Sequence, residues 1–306
     1  MQQLIILGAG PAGLSAGLRA KELKLNYLIL EQGEIAQTFL ETYPRGKDVA
    51  DFPKDMKTKG NLWFERCSVE NLLDKWKETA NELKIKTNQE VLEIQKQEIG
   101  FTIKTSEDTY ESENVIIAIG KQAKPNKLGV EGEDLKKVFY NLKDPEDFNN
   151  KNIMIVGGGD SAIDAALRLS KKNKIIISYR KPNFFRLNED NSANINQKKQ
   201  EGIIETIFNS NLKEIKEDKI ILEVNNQERE IENDFVFIFA GSKPPLDFFE
   251  KTGVKIENNK VVLDENFQTS IKNLYLIGDA ASKPPLLIKP AINQGYDVVE
   301  RIAERI

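Results

Sequence analysis

Two stretches of this chain repeat one plan: a short apolar strand, a glycine loop and the opening of a helix. In the first, Leu4-Ile5-Ile6-Leu7 runs into Gly8-Ala9-Gly10-Pro11-Ala12-Gly13 and then into Leu14 to Leu18. In the second, Asn152-Ile153-Met154-Ile155-Val156 runs into Gly157-Gly158-Gly159-Asp160-Ser161-Ala162 and then into Ile163 to Leu169. This spacing specifies a βα unit whose loop can cradle a dinucleotide pyrophosphate. Gly8 allows the tight turn, Gly10 lets backbone approach the phosphates, and Gly13 lets helix and strand pack closely. The helix N-terminus adds free N–H groups and partial positive charge, and Pro11 suits a first helical turn, where its missing N–H has no partner to lose. Tyr27-Leu28-Ile29-Leu30 reads as the next strand, and Glu31 stands at its end, where a carboxylate can accept hydrogen bonds from an adenosine ribose.

Between these landmarks the order of elements also repeats. Gln32 to Trp63 is polar and irregular, with Pro, Gly and aromatic residues, and reads as a long loop lying over a site. Ser68 is placed to cap a helix of about fifteen residues that buries Leu72, Leu73, Trp76, Ala80 and Leu83. A strand meander follows (Val91 to Ile94, Phe101 to Lys104, Thr109-Tyr110) and ends in Val115-Ile116-Ile117-Ala118-Ile119-Gly120. After the second glycine loop come the strand Ile175 to Ser178 and a second meander (Leu212 to Ile215, Ile220 to Val224, Arg229 to Ile231), ending in Phe235 to Gly241. Asn273 to Ala281, with Gly278-Asp279, then Pro290 and a helix from Ala291 to Ile306, have no counterpart in the second unit. The first unit is therefore expected to be split. The fold class is α/β, with two Rossmann-like dinucleotide-binding domains, each carrying a β-meander: 1–120 and 243–306 form one, and 121–242 is inserted.

At 306 residues the chain is longer than one core usually serves. A net charge of −4 gives no footprint for nucleic acid or an anionic membrane. No apolar run approaches the roughly 20 residues of a membrane span, and Met1 to Leu7 is a strand start without the cationic flank of a signal peptide, so a cytoplasmic protein is expected. With no histidine, a Ser-His-Asp triad, a His base and a His-ligated metal are excluded. With Cys67 as the one cysteine, an intramolecular dithiol and a Cys-ligated cluster are excluded too. Redox chemistry then has to come mainly from an organic cofactor.

GAGPAG at residue 8, Glu31, Ala118-Ile119-Gly120, GGGDSA at 157, Thr269-Ser270 and Gly278-Asp279 together resemble the low-mass, two-domain flavoprotein reductases. That group comprises bacterial thioredoxin reductase, the thioredoxin-reductase-like ferredoxin/flavodoxin–NADP reductases and the bacillithiol-disulfide-reductase-like proteins. The resemblance implies FAD in the split domain, a nicotinamide nucleotide in the inserted one, and a homodimer. Carried over by position, Gly8, Gly10, Pro11, Ala12, Gly13 and Glu31 would hold the ADP half of FAD, bordered by Ala118 and Gly120. Val91 would lie beside the adenine. Gly278-Asp279 would meet the ribityl chain or pyrophosphate, although Asp279 also suits a plain turn. The last helix, opening at Pro290-Ala291, would present its positive end to the flavin pyrimidine edge. Lys289, just ahead of it, either adds to that field or is a solvated surface lysine.

In the inserted domain Gly157, Gly159 and Ala162 form the loop, Asp160 and Ser161 would meet the pyrophosphate, and Gly241 closes the opposite strand. Its second strand ends not in an acid but in Arg180-Lys181, with Arg186 following. An acid repels a 2′-phosphate, whereas Arg180 and Lys181 pair with it. NADPH is accordingly expected in preference to NADH, the alternative being a solvated basic turn. Domain rotation would hinge near Gly120-Lys121 and Gly241-Ser242.

The chain departs from the thioredoxin reductases at Phe139 to Phe148, where they carry CxxC and this sequence has no cysteine. It departs from the bacillithiol branch at Ala12, where that branch places a cysteine. The ferredoxin-reductase branch commonly has a C-terminal extension over the flavin, and this sequence ends at Ile306. The expected activity is hydride transfer from NADPH to FAD, with electrons passing to an external acceptor, ferredoxin or flavodoxin first. Two alternatives stay open: a low-molecular-weight disulfide reductase using Cys67, whose thiol the helix start at Ser68 would acidify, and a flavin- or NADP-binding redox sensor. Cys67 also suits a small buried residue.

Overall fold

The structure, a computed structural model, describes residues 1–120, 125–185, 187–241, 246–281 and 287–306. The chain forms two compact units. The first comprises Met1–Leu40, Gly46–Ala123 and Lys243–Ile306, and the second Glu41–Arg45 and Lys124–Ser242.

The N-terminal arm runs β1 (Gln2–Leu7), α1 (Pro11–Glu22), β2 (Tyr27–Leu30), α2 (Gln37–Thr42), β3 (Asp48–Val49), β4 (Cys67–Ser68), α3 (Val69–Ala80), β5 (Ile85–Lys86), β6 (Val91–Lys96), β7 (Phe101–Thr105) and β8 (Thr109–Ile117). Next come β9 (Val138–Phe139), β10 (Asn152–Val156), α4 (Asp160–Leu169), β11 (Lys174–Tyr179), α5 (Glu189–Gln200), β12 (Ile204–Phe208), β13 (Ser210–Ile215), β14 (Lys219–Val224), β15 (Gln227–Glu232) and β16 (Phe235–Ile238). The return arm holds α6 (Leu246–Lys251), β17 (Ile256–Glu257), β18 (Lys260–Val261), β19 (Leu274–Leu276) and α7 (Ile288–Ala303).

In the first unit the sheet order is β5-β2-β1-β8-β7-β6, with β19 also paired to β8. The length of β8 explains that branch. Its first half, Thr109–Ser112, pairs antiparallel with β7, and its second half lies between β1 and β19, both parallel to it. One strand thus belongs to the meander and to the nucleotide-binding core, where the sequence suggested two separate pieces. The return arm is fixed by α7 crossing α1. A Cβ on Gly295 would stand 2.2 Å from Ala12 O, and Ser15 Oγ donates to Ile292 O at 2.7 Å. Only glycine allows that approach, and it brings residues after 287 beside the first glycine loop.

Three expectations need correction here. The stretch 32–63 is not wholly loop, since α2 and β3 lie within it, and Glu41–Arg45 belongs to the second unit. Ser68 caps α3 as expected, its Oγ accepting from Asn71 N, but the helix ends at Ala80 and Leu83 lies beyond it. The last helix opens at Ile288, so Lys289 sits inside its first turn.

The second unit has an all-parallel sheet, β12-β11-β10-β16-β9, and the antiparallel meander β13-β14-β15. Met154 and Ile176 on one sheet face pack with Leu212, Ile220 and Leu222 of the meander, while Ile153, Ile155 and Phe237 face α4 and α5. The stretch that carries CxxC in thioredoxin reductases is core material: Phe139 stacks on Phe237 with centroids 5.2 Å apart, and Phe148 meets both edge-on. Lys137 is buried and donates from Nζ to the carbonyls of Lys216, Glu217 and Asn233. Burial pushes its pKa down, against the pull of Glu217, Asp218 and Asp234. Among the described residues no helix is long and apolar enough to cross a membrane.

Candidate functional site: two glycine-loop crevices

In the first unit, β1 ends in a turn that only glycine permits. Gly8 has φ +104°, its N–H donates to Leu30 O at 2.8 Å, and a Cβ there would lie 2.6 Å from Ala118 O. A Cβ on Gly13 would lie 1.9 Å from Gly8 O. Gly10, by contrast, has nothing among the described residues within 4 Å of the place its Cβ would take. Two glycines therefore serve the fold, and the third keeps space open at the start of α1, whose first residue is Pro11. Glu31 is 7% exposed and bridges the loop to its own turn: Oε2 accepts from Ala9 N at 2.7 Å and Oε1 from Gly33 N at 3.0 Å. A carboxylate offers about four acceptor positions, and the hydrogen bonds to Ala9 and Gly33 use two of them.

The return arm adds Gly278, whose φ of +75° and bond from its N–H to Gln294 Oε1 (2.7 Å) set it against the loop, a Cβ there standing 3.3 Å from the Ala12 methyl. Asp279 follows in a short 3-10 turn. Pro290 and Ala291 lie in the first turn of α7. Val91 lies half-buried at a register shift between β6 and β7. Ala118 is buried, and Gly120 has φ +61°. Lys289 is not a solvated lysine: it is 5% exposed, ion-paired to Asp51 Oδ1 at 2.7 Å, and donates to Pro53 O at 2.9 Å.

The crevice of the second unit has the same division of labour. Gly157 has φ +145°, and a Cβ there would lie 2.7 Å from Phe239 O and 3.3 Å from the Ala162 methyl, whereas a Cβ on Gly159 would meet nothing among the described residues within 4 Å. Asp160 Oδ1 accepts from Asn188 N, Asn188 Nδ2 and Asn191 Nδ2, which ties the loop to the start of α5. Ser161, Arg180 and Lys181 are exposed, with Lys181 Nζ 5.1 Å from the centroid of the Phe185 ring. Gly241 has φ +78°. Arg186, Lys121 and Ser242 lie outside the described residues.

Sequence reasoning missed Tyr179. Its ring lies against Gly158, where a Cβ would come within 2.5 Å of it, and it stacks on Phe184. The Phe184-Phe185 pair after two basic residues was the available signal. Cys67 departs from expectation. It is half-buried in β4 opposite Val49, and burial pushes its thiol pKa up, with Asp48 and Glu65 adding to the rise and only a backbone hydrogen bond at Leu72 opposing it. The start of α3 does not acidify it, because burial, with Asp48 and then Glu65 adding to it, outweighs the backbone hydrogen bond at Leu72.

A split unit and an inserted unit, each with a glycine loop at the C-terminal ends of parallel strands, define a protein of the two-domain, doubly dinucleotide-binding class. The chain belongs to the pyridine nucleotide-disulphide oxidoreductase family, whose model matches residues 5–278. It is similar to bacilliredoxin reductase Bdr of Bacillus subtilis (29% identity, covering 92% of this chain and 90% of that protein). It is also similar to a ferredoxin–NADP reductase of Rickettsia felis (30% identity, 91% and 84%). The solved bacillithiol disulfide reductase Bdr (YpdA) from Staphylococcus aureus superposes with a TM-score of 0.90 at 29% identity, covering 100% of this chain and 99% of that one. With one cysteine in its sequence, the present protein is an FAD-dependent oxidoreductase without a CxxC pair.

Proposed function

We propose that this protein oxidises NADPH, with NADH the poorer donor, and delivers the electrons to an external protein acceptor of the ferredoxin or flavodoxin class. The observation that carries the reading is the pairing of two glycine crevices, each with two tightly packed positions and one kept open, at Gly10 and at Gly159. Gly8, Gly10, Gly13 and Glu31 suit the ADP half of FAD, with Gly278 against Ala12 of the loop and Asp279 directly after it. Gly157, Gly159 and Ala162 suit the pyrophosphate of the nicotinamide nucleotide, and the exposed Arg180 and Lys181 suit its 2′-phosphate. When bound, the flavin supplies the two-electron to one-electron conversion such an acceptor needs. The chain itself binds, orients and shields. Glu31 is already held by two backbone N–H groups and offers its remaining lone pairs to ribose hydroxyls without further ordering. The first turn of α7 presents partial positive charge where negative charge develops.

We propose a homodimer, which light scattering tests directly. A cytoplasmic location agrees with the absence of a membrane-crossing helix among the described residues.

A low-molecular-weight disulfide as acceptor is the second reading, favoured by the names of the Bacillus subtilis and Staphylococcus aureus relatives. Against it stand Ala12 in the glycine loop and the raised pKa of Cys67. An acceptor panel with the FAD-loaded protein separates the two. Turnover with ferredoxin or flavodoxin that persists in Cys67→Ser supports the first reading. Disulfide turnover that disappears in Cys67→Ser replaces it with the second.

A further inference from the structure

In the second unit, β10 and β16 are neighbours at the point where the strand order reverses, and their following segments meet there, Gly157 against Phe239 O. Ligands of open α/β sheets bind in the crevice at this reversal. Asn126 closes the β16 side of it. Its backbone N–H donates to Gly241 O at 2.9 Å, and its Nδ2 donates to Ala240 O at 3.1 Å. The second bond fixes which way the amide points, because a flip would set two oxygens against each other. The remaining atom, Oδ1, is shielded from solvent and has no hydrogen-bond partner among the described residues. Buried acceptors without a donor are few in folded proteins, and each calls for a reason.

The direction in which a dinucleotide lies supplies that reason. Arg180 and Lys181, at the end of β11, suit the 2′-phosphate of the adenosine half, and the loop after β10 suits the pyrophosphate. The other half then extends over β16, toward Asn126. We propose that Asn126 Oδ1 accepts a hydrogen bond from the carboxamide N–H of the nicotinamide, so that Asn126 is a specificity residue for the nicotinamide end of the cofactor. A Cβ on Gly241 would lie 3.6 Å from Asn126 Nδ2, so the glycine keeps side-chain bulk away from the Asn126 amide. This inference rests on the proposed binding of a nicotinamide nucleotide in the second unit.

The test measures equilibrium binding of three ligands to the FAD-loaded protein: NADP⁺, adenosine 2′,5′-bisphosphate, which lacks the nicotinamide half, and the nicotinic acid analogue of NADP⁺, which lacks the carboxamide donor. In Asn126→Ala, NADP⁺ is expected to bind about tenfold more weakly, the size of one hydrogen bond, while the bisphosphate binds as before. The wild-type preference for NADP⁺ over the nicotinic acid analogue is expected to disappear in the variant, which guards against a merely structural effect. Equal loss for NADP⁺ and the bisphosphate, or no loss for either, overturns the role of Asn126 and leaves the nucleotide site standing. Failure of the wild-type protein to bind either NADP⁺ or the bisphosphate overturns the nucleotide site itself, and the role of Asn126 with it.

Discussion

The backbone N–H of Ala9 donates to Glu31 Oε2 at 2.7 Å, tying the tip of the first glycine loop to the end of the neighbouring strand. The other carboxylate oxygen holds Gly33 N. Glu31→Gln keeps the shape but can offer only one acceptor oxygen to two N–H donors. It is expected to lose about 1–3 kcal/mol of stability, measured by denaturant unfolding, and to retain less flavin through desalting. Full stability with full flavin retention would show that the bridge is dispensable.

The glycines of the same loop separate fold from ligand. Gly13→Ala puts a methyl 1.9 Å from Gly8 O, where only backbone can give way, so the protein is expected to lose about 1–3 kcal/mol or more. Gly10→Ala meets nothing among the described residues within 4 Å, and Gly10 has an ordinary φ of −82°. Its melting temperature without cofactor should stay close to wild type while FAD binding falls. Gly159→Ala should do the same to nicotinamide nucleotide binding and spare FAD. If Gly10→Ala binds FAD as the wild type does, the open space there is not a cofactor cradle.

Glu133 gives the second unit an acid-sensitive joint. Its carboxylate accepts from Leu128 N at 2.8 Å, Gly129 N at 2.7 Å and Tyr140 Oη at 2.9 Å. Burial alone raises its pKa, but these hydrogen bonds outweigh it and hold the carboxyl below the usual range. Tyr140 is pushed up to about 12, by burial first and then by the bond to Glu133. A depressed carboxyl stabilises the fold above its unfolded pKa of about 4.3 and loses that contribution as the pH falls through the folded value. Glu133→Gln should lower stability at pH 7 and flatten the acid limb of the stability profile. An unchanged acid limb removes Glu133 from the explanation.

Much of the fold was legible from the sequence because its strongest elements have unmistakable periods. Leu4 to Leu7 and Ile153 to Val156 are continuous apolar runs ending in glycine, and Leu72, Leu73, Trp76 and Ala80 mark one face of a helix. Elements that earn no periodic signal were missed. The helix Glu189–Gln200 buries only Asn191 and Ile195, so it has no apolar stripe to detect, and the two-residue strands β3, β4, β5 and β9 are held by neighbours distant in sequence. At the site, residue types at fixed offsets were visible, but side-chain direction was not. Nothing in the sequence tells that Lys289 turns to Asp51 or that the charges of Asp48 and Glu65 act on Cys67.

The raised pKa of Cys67 leaves less thiolate at neutral pH than an ordinary thiol has. Alkylation by iodoacetamide at pH 7 should run slower than for free cysteine and accelerate only above the usual thiol range. Faster alkylation at pH 7 would favour a redox role for this residue.

The most direct measurement is anaerobic titration of the FAD-loaded protein with NADPH and, separately, NADH, followed through the visible absorbance of the flavin. The reductase assignment predicts stoichiometric bleaching by NADPH, slower or weaker bleaching by NADH, and recovery of colour on adding oxidised ferredoxin or flavodoxin. A flavin that stays oxidised with both nucleotides contradicts it.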